Sequence, residues 1–234
     1  MSMSEHNLLI ADISGYTRFV LKNQQHWNHA QIIISDLLQE IVDCSDGLFR
    51  LEKLEGDAAF LVEKSPPSAP QDIQACINRI FDSFAVNLQE KVYGNACTCS
   101  ACVGTSDLRL KIVLHRGHLT EQHIAGNIEV SGVAVIVAHR MLKNNVKSTH
   151  YLLLTADAHD HTSCTGWDLN QGTFKDSDLG SIPYWLHLPD DPLNTPEPPA
   201  YPWMTRMLNA MRIMFISGLM RLGIRQYPAL KQVG

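Results

Sequence analysis

Apolar and polar positions follow two rhythms along this chain, and they predict where strands and helices lie. Residues 7–13 (Asn-Leu-Leu-Ile-Ala-Asp-Ile) form an apolar run ending in an acid, the pattern of a short buried strand. Ser14-Gly15-Tyr16-Thr17 breaks that run and supplies capping oxygens. From Trp27 to Cys44 the apolar residues Ala30, Ile33, Ile34, Leu37, Leu38 and Ile41 recur every three or four positions, as in a helix packed on a sheet, and Gly47 ends it. Leu48–Leu54 and Ala58–Val62 read as two strands joined by the tight turn Glu55-Gly56-Asp57. A loop with three prolines, Ser65–Pro70, precedes a second helix over Gln71–Val92, whose Ile73, Ile77, Ile80, Phe84 and Leu88 share one side. After an irregular insertion, Asp107–Leu114 alternates Leu108, Leu110 and Ile112 with Arg109 and Lys111, the signature of a half-buried strand. Gly132–Asn144 reads as a third helix, His150–Thr155 as a strand and Tyr184–Leu188 as the last strand. The order βαββαβ, followed by αβ and a final strand, predicts an α+β sandwich of ferredoxin-like type with extra α/β elements and a C-terminal helix.

Composition sharpens this picture. Apolar residues make up 45% of the 234 positions and charged residues 18%, which excludes a disordered or coiled-coil chain. The net charge of −5 hides an asymmetry, because all 24 acids lie before residue 198 and five of the 19 Lys and Arg lie after it. Those five are Arg206, Arg212, Arg221, Arg225 and Lys231. Three regions follow: a domain over 1–188 that includes a cysteine-bearing insertion at 94–106, a linker over 189–202 with six prolines, and a basic amphipathic helix or tail over 203–234. The acidic balance of the domain speaks against a nucleic-acid partner. The start of the chain has no basic region followed by an apolar run, and the longest uncharged stretch of the tail, Ile213–Met220, is eight residues. A spanning helix needs about 20. The expected location is therefore cytoplasmic, with the tail able to bring the protein to the inner membrane surface.

Two groups of residues carry candidate chemistry. Asp12 ends an apolar strand, where an acid is costly unless paired or metal-bound, and Asp57 sits in the hairpin turn. If the first strand lies beside the hairpin, the two carboxylates converge and present the hard oxygen donors that Mg²⁺ or Mn²⁺ takes. Capping by Asp12 and ordinary turn chemistry at Asp57 are the competing structural roles. The second group is Cys97-x-Cys99-x-x-Cys102, three thiols within six residues, which favours a soft metal, Zn²⁺ first and an iron–sulfur cluster second, over free thiols in a loop. His115, His118 and His123 are the nearest fourth ligands in sequence, with His139 as another candidate.

The run Leu9-Ile10-Ala11-Asp12-Ile13-Ser14-Gly15-Tyr16-Thr17 resembles the opening motif of the class III nucleotidyl cyclases, the adenylate and guanylate cyclase family. Lys53-Leu54-Glu55-Gly56-Asp57-Ala58 is similar to that family's second motif, and Leu110–Gly117 and Gly132–Leu142 follow in the same order. The cysteine motif is absent from ordinary cyclases and resembles that of an uncharacterised bacterial family related to them. The resemblance covers about residues 7–188. It implies Asp12 and Asp57 as ligands of two Mg²⁺ or Mn²⁺ ions, with the carbonyl of Ile13 assisting. It implies Lys53 as the reader of the nucleotide base and Arg140 as the catalytic residue that stabilises charge on the transferring phosphate. Because the family takes its metal acids and its arginine from different subunits, a head-to-tail homodimer is implied as well.

Departures from the family pattern accompany these matches. The family's Asn, four residues before the Arg, is Ile136, and the adjacent base-selecting position falls on Val133. A phosphate-binding Lys expected just before a Gly falls near Leu179-Gly180, with Lys175 out of register. Losing one oriented donor costs a factor of about 10²–10³ in rate. Two functions are therefore expected from the sequence. One is a cyclase that converts a nucleoside triphosphate to a 3′,5′-cyclic monophosphate and pyrophosphate. The other is a catalytically silent cyclase-like module that binds nucleotide or metal as a sensor or scaffold. The basic tail docks either on a membrane surface or on protein.

Overall fold

The structure, a computed structural model, describes residues 4–124 and 127–224. Strand β1 (Ser4–Ser14) lies between β3 (Ala58–Glu63) and β4 (Arg109–Ile124) and is antiparallel to both. With β2 (Phe49–Glu55) outside β3, these four strands have the order β2-β3-β1-β4, and two helices connect them, α2 (Trp27–Ser45) and α3 (Pro70–Tyr93). A short helix α1 (Tyr16–Lys22) intervenes between β1 and α2. This is the expected ferredoxin-like βαββαβ arrangement.

The pleat of β1 explains why its whole length is apolar. Leu9, Ala11 and Ile13 face α2 and α3 together with Ala59, Leu61, Leu110, Ile112 and Leu114. Leu8 and Ile10 point to the opposite face with Phe60 and Val62, and there they pack under Ala134 and Ala138 of α5 (Val133–Met141). Helices therefore cover both faces of the sheet, as a continuously apolar central strand requires.

The sheet extends past β4 through β6 (Tyr151–Thr155), β8 (Gly180–His187) and β7 (Leu169–Asp176), with a four-residue helix α6 (Ala156–His159) after β6. Five elements differ from the sequence expectation: β4, β5, β7, α6 and α5. Strand β4 does not end at Leu114 but runs on to Ile124 and pairs with β5 (Asn127–Ser131) in a two-stranded ribbon. The ribbon's signal in the sequence is short: Thr120–Ile124 carries one apolar residue, and Asn127–Ser131 alternates Ile128 and Val130 with polar residues over only five positions. Among the described residues, strand β7 pairs only with β8 and is mostly exposed, and α6 is too short to show a period. Helix α5 stops at Met141, three residues short of the expected end.

The insertion after α3 contains a short helix, α4 (Ser100–Gly104), and a 3₁₀ turn over Thr105–Asp107. The proline-rich segment lies against the domain, where Gln89 Nε2 donates to the carbonyl of Pro192 at 2.6 Å and Arg109 pairs with Asp191 at 2.8 Å. Beyond it, α7 (Trp203–Arg221) packs one side on α2. Ala210 and Ile216 are buried there, Asn28 Nδ2 donates to Ser217 O, and Asn209 Nδ2 donates to Gly94 O. No helix among the described residues is long and apolar enough to cross a membrane. Residues 225–234, with Arg225 and Lys231 of the basic tail, lie outside the described residues.

Candidate active site and thiol cluster

The end of β1 places the first acid. Asp12 stands opposite Ala58 of β3 on one side and Lys111 of β4 on the other. The backbone N–H of Ile13 donates to the carbonyl of Asp57 at 3.0 Å, which ties the β2–β3 turn to β1 and brings the second carboxylate to the same end of the sheet. Ile13 itself is fully buried, so only its backbone can serve a site here. Asp12 and Asp57 line one open cleft of about 750 Å³, together with Tyr16, Arg18, Lys22 and Lys111.

The electrostatics of this cleft are those of crowded carboxylates. Burial holds the carboxyl of Asp12 above its ordinary value, against the opposing pull of Lys111, whose Nζ lies 3.5 Å from its Oδ2. Burial and, next, the negative charge of Asp12 push Asp57 up to about 6. Gly15 closes the turn from β1 into α1 with φ of +91°, and a Cβ there would stand 3.0 Å from the carbonyl oxygen of Asp107. Only glycine meets both conditions without strain.

The remaining residues implied by the resemblance lie elsewhere on the chain. Lys53 is exposed on β2 and is not among the described residues that line the cleft. Arg140 sits on α5, across the sheet from α2 and α3, and its guanidinium is held by Asp176 at 3.2 Å and Asp178 at 3.1 Å. Val133 and Ile136 are exposed on the same helix at 67% and 51%, so α5 shows an apolar surface where the family pattern has donors.

The thiols of Cys97, Cys99 and Cys102 come together with one imidazole, but it belongs to none of the expected histidines. It is His29, in the first turn of α2. Its Nδ1 lies 3.3 Å from Cys99 Sγ and 3.9 Å from both Cys97 Sγ and Cys102 Sγ. The four donor atoms all fall within 4.8 Å of one another, an arrangement able to hold a metal ion. Burial, and then the neighbouring thiols, push the Cys102 thiol far above its ordinary value. Three of the four expected candidates are engaged otherwise, His115 with Thr155, His118 with Glu5 and His139 with Glu55, and His123 is exposed on the β4–β5 ribbon. Sequence spacing could not find His29, which is 68 residues from the first thiol. Arg18 and Lys22 were within reach, since positions four apart just inside a helix share a face.

Comparison with known proteins now places the chain. The profile of the family described as "Protein of unknown function (DUF2652)" matches residues 34–151, about half of the sequence. The chain belongs to this family. "Uncharacterized protein Rv2561/Rv2562" of Mycobacterium tuberculosis is 34% identical over 124 residues, which are 52% of this chain and 57% of that protein. The match thus spans little more than half of the relative's length. Among solved structures, the adenylyl cyclase CyaB from P. aeruginosa superposes with a TM-score of 0.61 at 12% identity, over 82% of this chain and 97% of that one. The guanylate cyclase domain of RhGC from Catenaria anguillulae, solved in complex with GTP, gives 0.56 at 17% identity, over 80% and 99%. The fold of this DUF2652 member is that of the adenylyl and guanylyl cyclase domains. The profile covers Asp57, the three cysteines and Arg140, and it begins downstream of Asp12 and His29.

Proposed function

We propose that the chain is a metal-dependent nucleotidyl cyclase that turns a nucleoside triphosphate into a 3′,5′-cyclic monophosphate and pyrophosphate. The observation that supports this reading is the convergence of Asp12 and Asp57 at one end of the sheet, in a cleft large enough for a nucleotide and flanked by three cations. In the reaction the 3′-hydroxyl gives its proton to solvent water, its oxygen bonds to the α-phosphorus, and the bond from that phosphorus to the bridging oxygen breaks, so that oxygen leaves with pyrophosphate. The donor set fits Mg²⁺ or Mn²⁺, because it offers hard carboxylate oxygens of two acids at one cleft. Two ions held by Asp12, Asp57 and the Ile13 carbonyl would supply charge stabilisation at the attacking and leaving oxygens. Arg18 and Lys22 attract and orient the triphosphate, and Lys111 limits the repulsion between the two acids. Arg140 acts in a homodimer, where α5 of one copy meets the cleft of the other, and Lys53 reads the base there. Membership of such a dimer requires Arg140 to leave Asp176 and Asp178 for phosphate.

A second reading, a catalytically silent nucleotide- or metal-binding module, is favoured by the exposed Val133 and Ile136 and by the engagement of Arg140 with two carboxylates. Incubation of purified protein with Mn²⁺ and each of four nucleoside triphosphates separates the two. The cyclase reading expects cyclic monophosphate and pyrophosphate in equal amounts, lost by at least 10³-fold in Asp57→Ala. Nucleotide binding without product from any base establishes the silent module instead.

The outer side of α7 supports a further part of this reading, attachment to an anionic membrane surface. Trp203, Met204, Met207, Leu208, Met211 and Phe215 are exposed there, flanked by Arg206, Arg212 and Arg221, and no acid follows Glu197. Apolar burial and attraction to anionic headgroups add on such a helix.

A further inference from the structure

We infer that His29, Cys97, Cys99 and Cys102 bind a single zinc ion, and that this ion fixes one wall of the Asp12–Asp57 cleft. The argument for one ion is geometric. A tetrahedral Zn²⁺ with Zn–S near 2.3 Å and Zn–N near 2.0 Å sets its ligand atoms about 3.5–3.8 Å apart. The nitrogen–sulfur separations here, 3.3, 3.9 and 3.9 Å, bracket that range. A cubane iron–sulfur cluster would fill the centre with its own atoms and push its ligands far further apart. Disulfide chemistry is not in use, since all three cysteines are free.

The surroundings are those of a prepared metal loop. Asn95 donates from Nδ2 to Cys102 Sγ at 3.7 Å and accepts at Oδ1 from the backbone N–H of Cys97 at 2.9 Å. One side chain thus shapes the loop and offers a donor to a thiolate, the kind of support that orients ligands at zinc sites. Three thiolates and a neutral imidazole around Zn²⁺ carry a net charge of −1, and Arg221 of α7 stands close enough to act on His29. Binding releases the three thiol protons to solvent.

The link to the cleft is direct. Cys99 is the N-cap of α4, and its carbonyl accepts from the N–H of Val103 at 3.0 Å. Ser100, Val103 and Gly104 of that helix line the same cleft as Asp12 and Asp57. Gly104 in turn lies against Phe19 and Asn23, the end of α1. The ion would therefore fasten the start of α2 to the loop before α4, and α4 holds α1, which carries Arg18 and Lys22. A five-residue helix has no stability of its own, so its place depends on what anchors its ends.

The test begins with metal content and X-ray absorption of the full chain purified from zinc-replete cells. One zinc per chain with three sulfur and one nitrogen neighbours is expected, and iron, or no metal after anaerobic preparation, overturns the assignment. His29→Cys should keep zinc with four sulfur neighbours, and an unchanged three-sulfur spectrum refutes His29 as ligand. Hydrogen exchange before and after chelation then reads the coupling. Residues 16–23 and 100–107 should exchange at least tenfold faster without zinc while the β1–β3 core is unchanged; equal rates refute the link to the cleft. None of these readouts needs nucleotide turnover, so failure of the cyclase reading would leave them intact.

Discussion

At the scale of single residues, Asp57 is the most informative titration in the molecule. Its folded-state carboxyl titrates near 6, against an ordinary value of 3.8, because of burial and the charge of Asp12. Between about pH 4 and pH 6 the folded protein keeps a proton that the unfolded chain has released, so stability falls as pH rises through that window. Above it the cost is complete, and Asp57→Asn removes it. Without divalent cations the variant should be more stable than wild type at pH 7.5, by about 1 kcal/mol once solvent screening of a half-buried group is allowed for. The difference should vanish near pH 4, as urea unfolding at the two pH values would show. Lys111→Met should raise the Asp57 value further, which a carboxyl-carbon NMR titration reads directly. Gly15 is a second sensitive position, where a side chain meets both a left-handed backbone and the Asp107 carbonyl. Gly15→Ala should cost about 1–2 kcal/mol by thermal unfolding. Asp12 could be singled out in the sequence because an acid that finishes an apolar strand demands a partner. His29 could not, because a metal ligand contributed from another element obeys no local spacing.

At the scale of elements, burial decided what was legible. Strands β1 and β3 and helices α2 and α3 are packed on the core, so their apolar spacing announces them. The β4–β5 ribbon and β7 are written largely in polar residues, and only their pairing partners define them. Helix α7 lies between these cases. Its regular apolar spacing is plain, but two faces use it: Ala210, Ile213 and Ile216 turn to α2, while the larger side chains turn to solvent. The outward face gives a prediction at this scale. The full chain should float with vesicles containing anionic lipid and not with neutral ones, and Leu208→Glu with Phe215→Glu should lower binding at least tenfold. Both side chains are more than half exposed, so the fold has no stake in them. A concentration-dependent dimer that the same pair of changes dissolves, without lipid binding, would assign α7 to a second copy instead.

At the scale of the whole molecule, Arg140 is not among the described residues that line the cleft of the two acids and is held by Asp176 and Asp178, so the proposed reading brings it to the cleft of a second copy. Activity would therefore belong to a pair. Asp57→Ala and Arg140→Ala should each be inactive alone, and mixing them should restore about a quarter of wild-type turnover, because half of the dimers would be mixed and each would hold one intact site of two. Absence of recovery under conditions that exchange subunits would count against the shared site. The acidic charge of the first 197 residues is compatible with this, because Arg18, Lys22 and Lys111 gather cations where phosphate would lie.

The central position of β1 has one more consequence, for the order in which the protein is made. It leaves the ribosome before β3 and β4, yet its pairing is complete only when both of those later strands exist. Its neighbour β3 ends at Glu63, and its other neighbour, β4, pairs with it as far as Leu119. At ordinary synthesis speeds of about 5–20 residues per second, several seconds separate those two events. Throughout that interval Leu8, Leu9 and Ile10 belong to an open sheet edge on the nascent chain. Chaperone capture during translation, and losses to aggregation when synthesis is fast and cells are warm, should therefore track this strand more than any other.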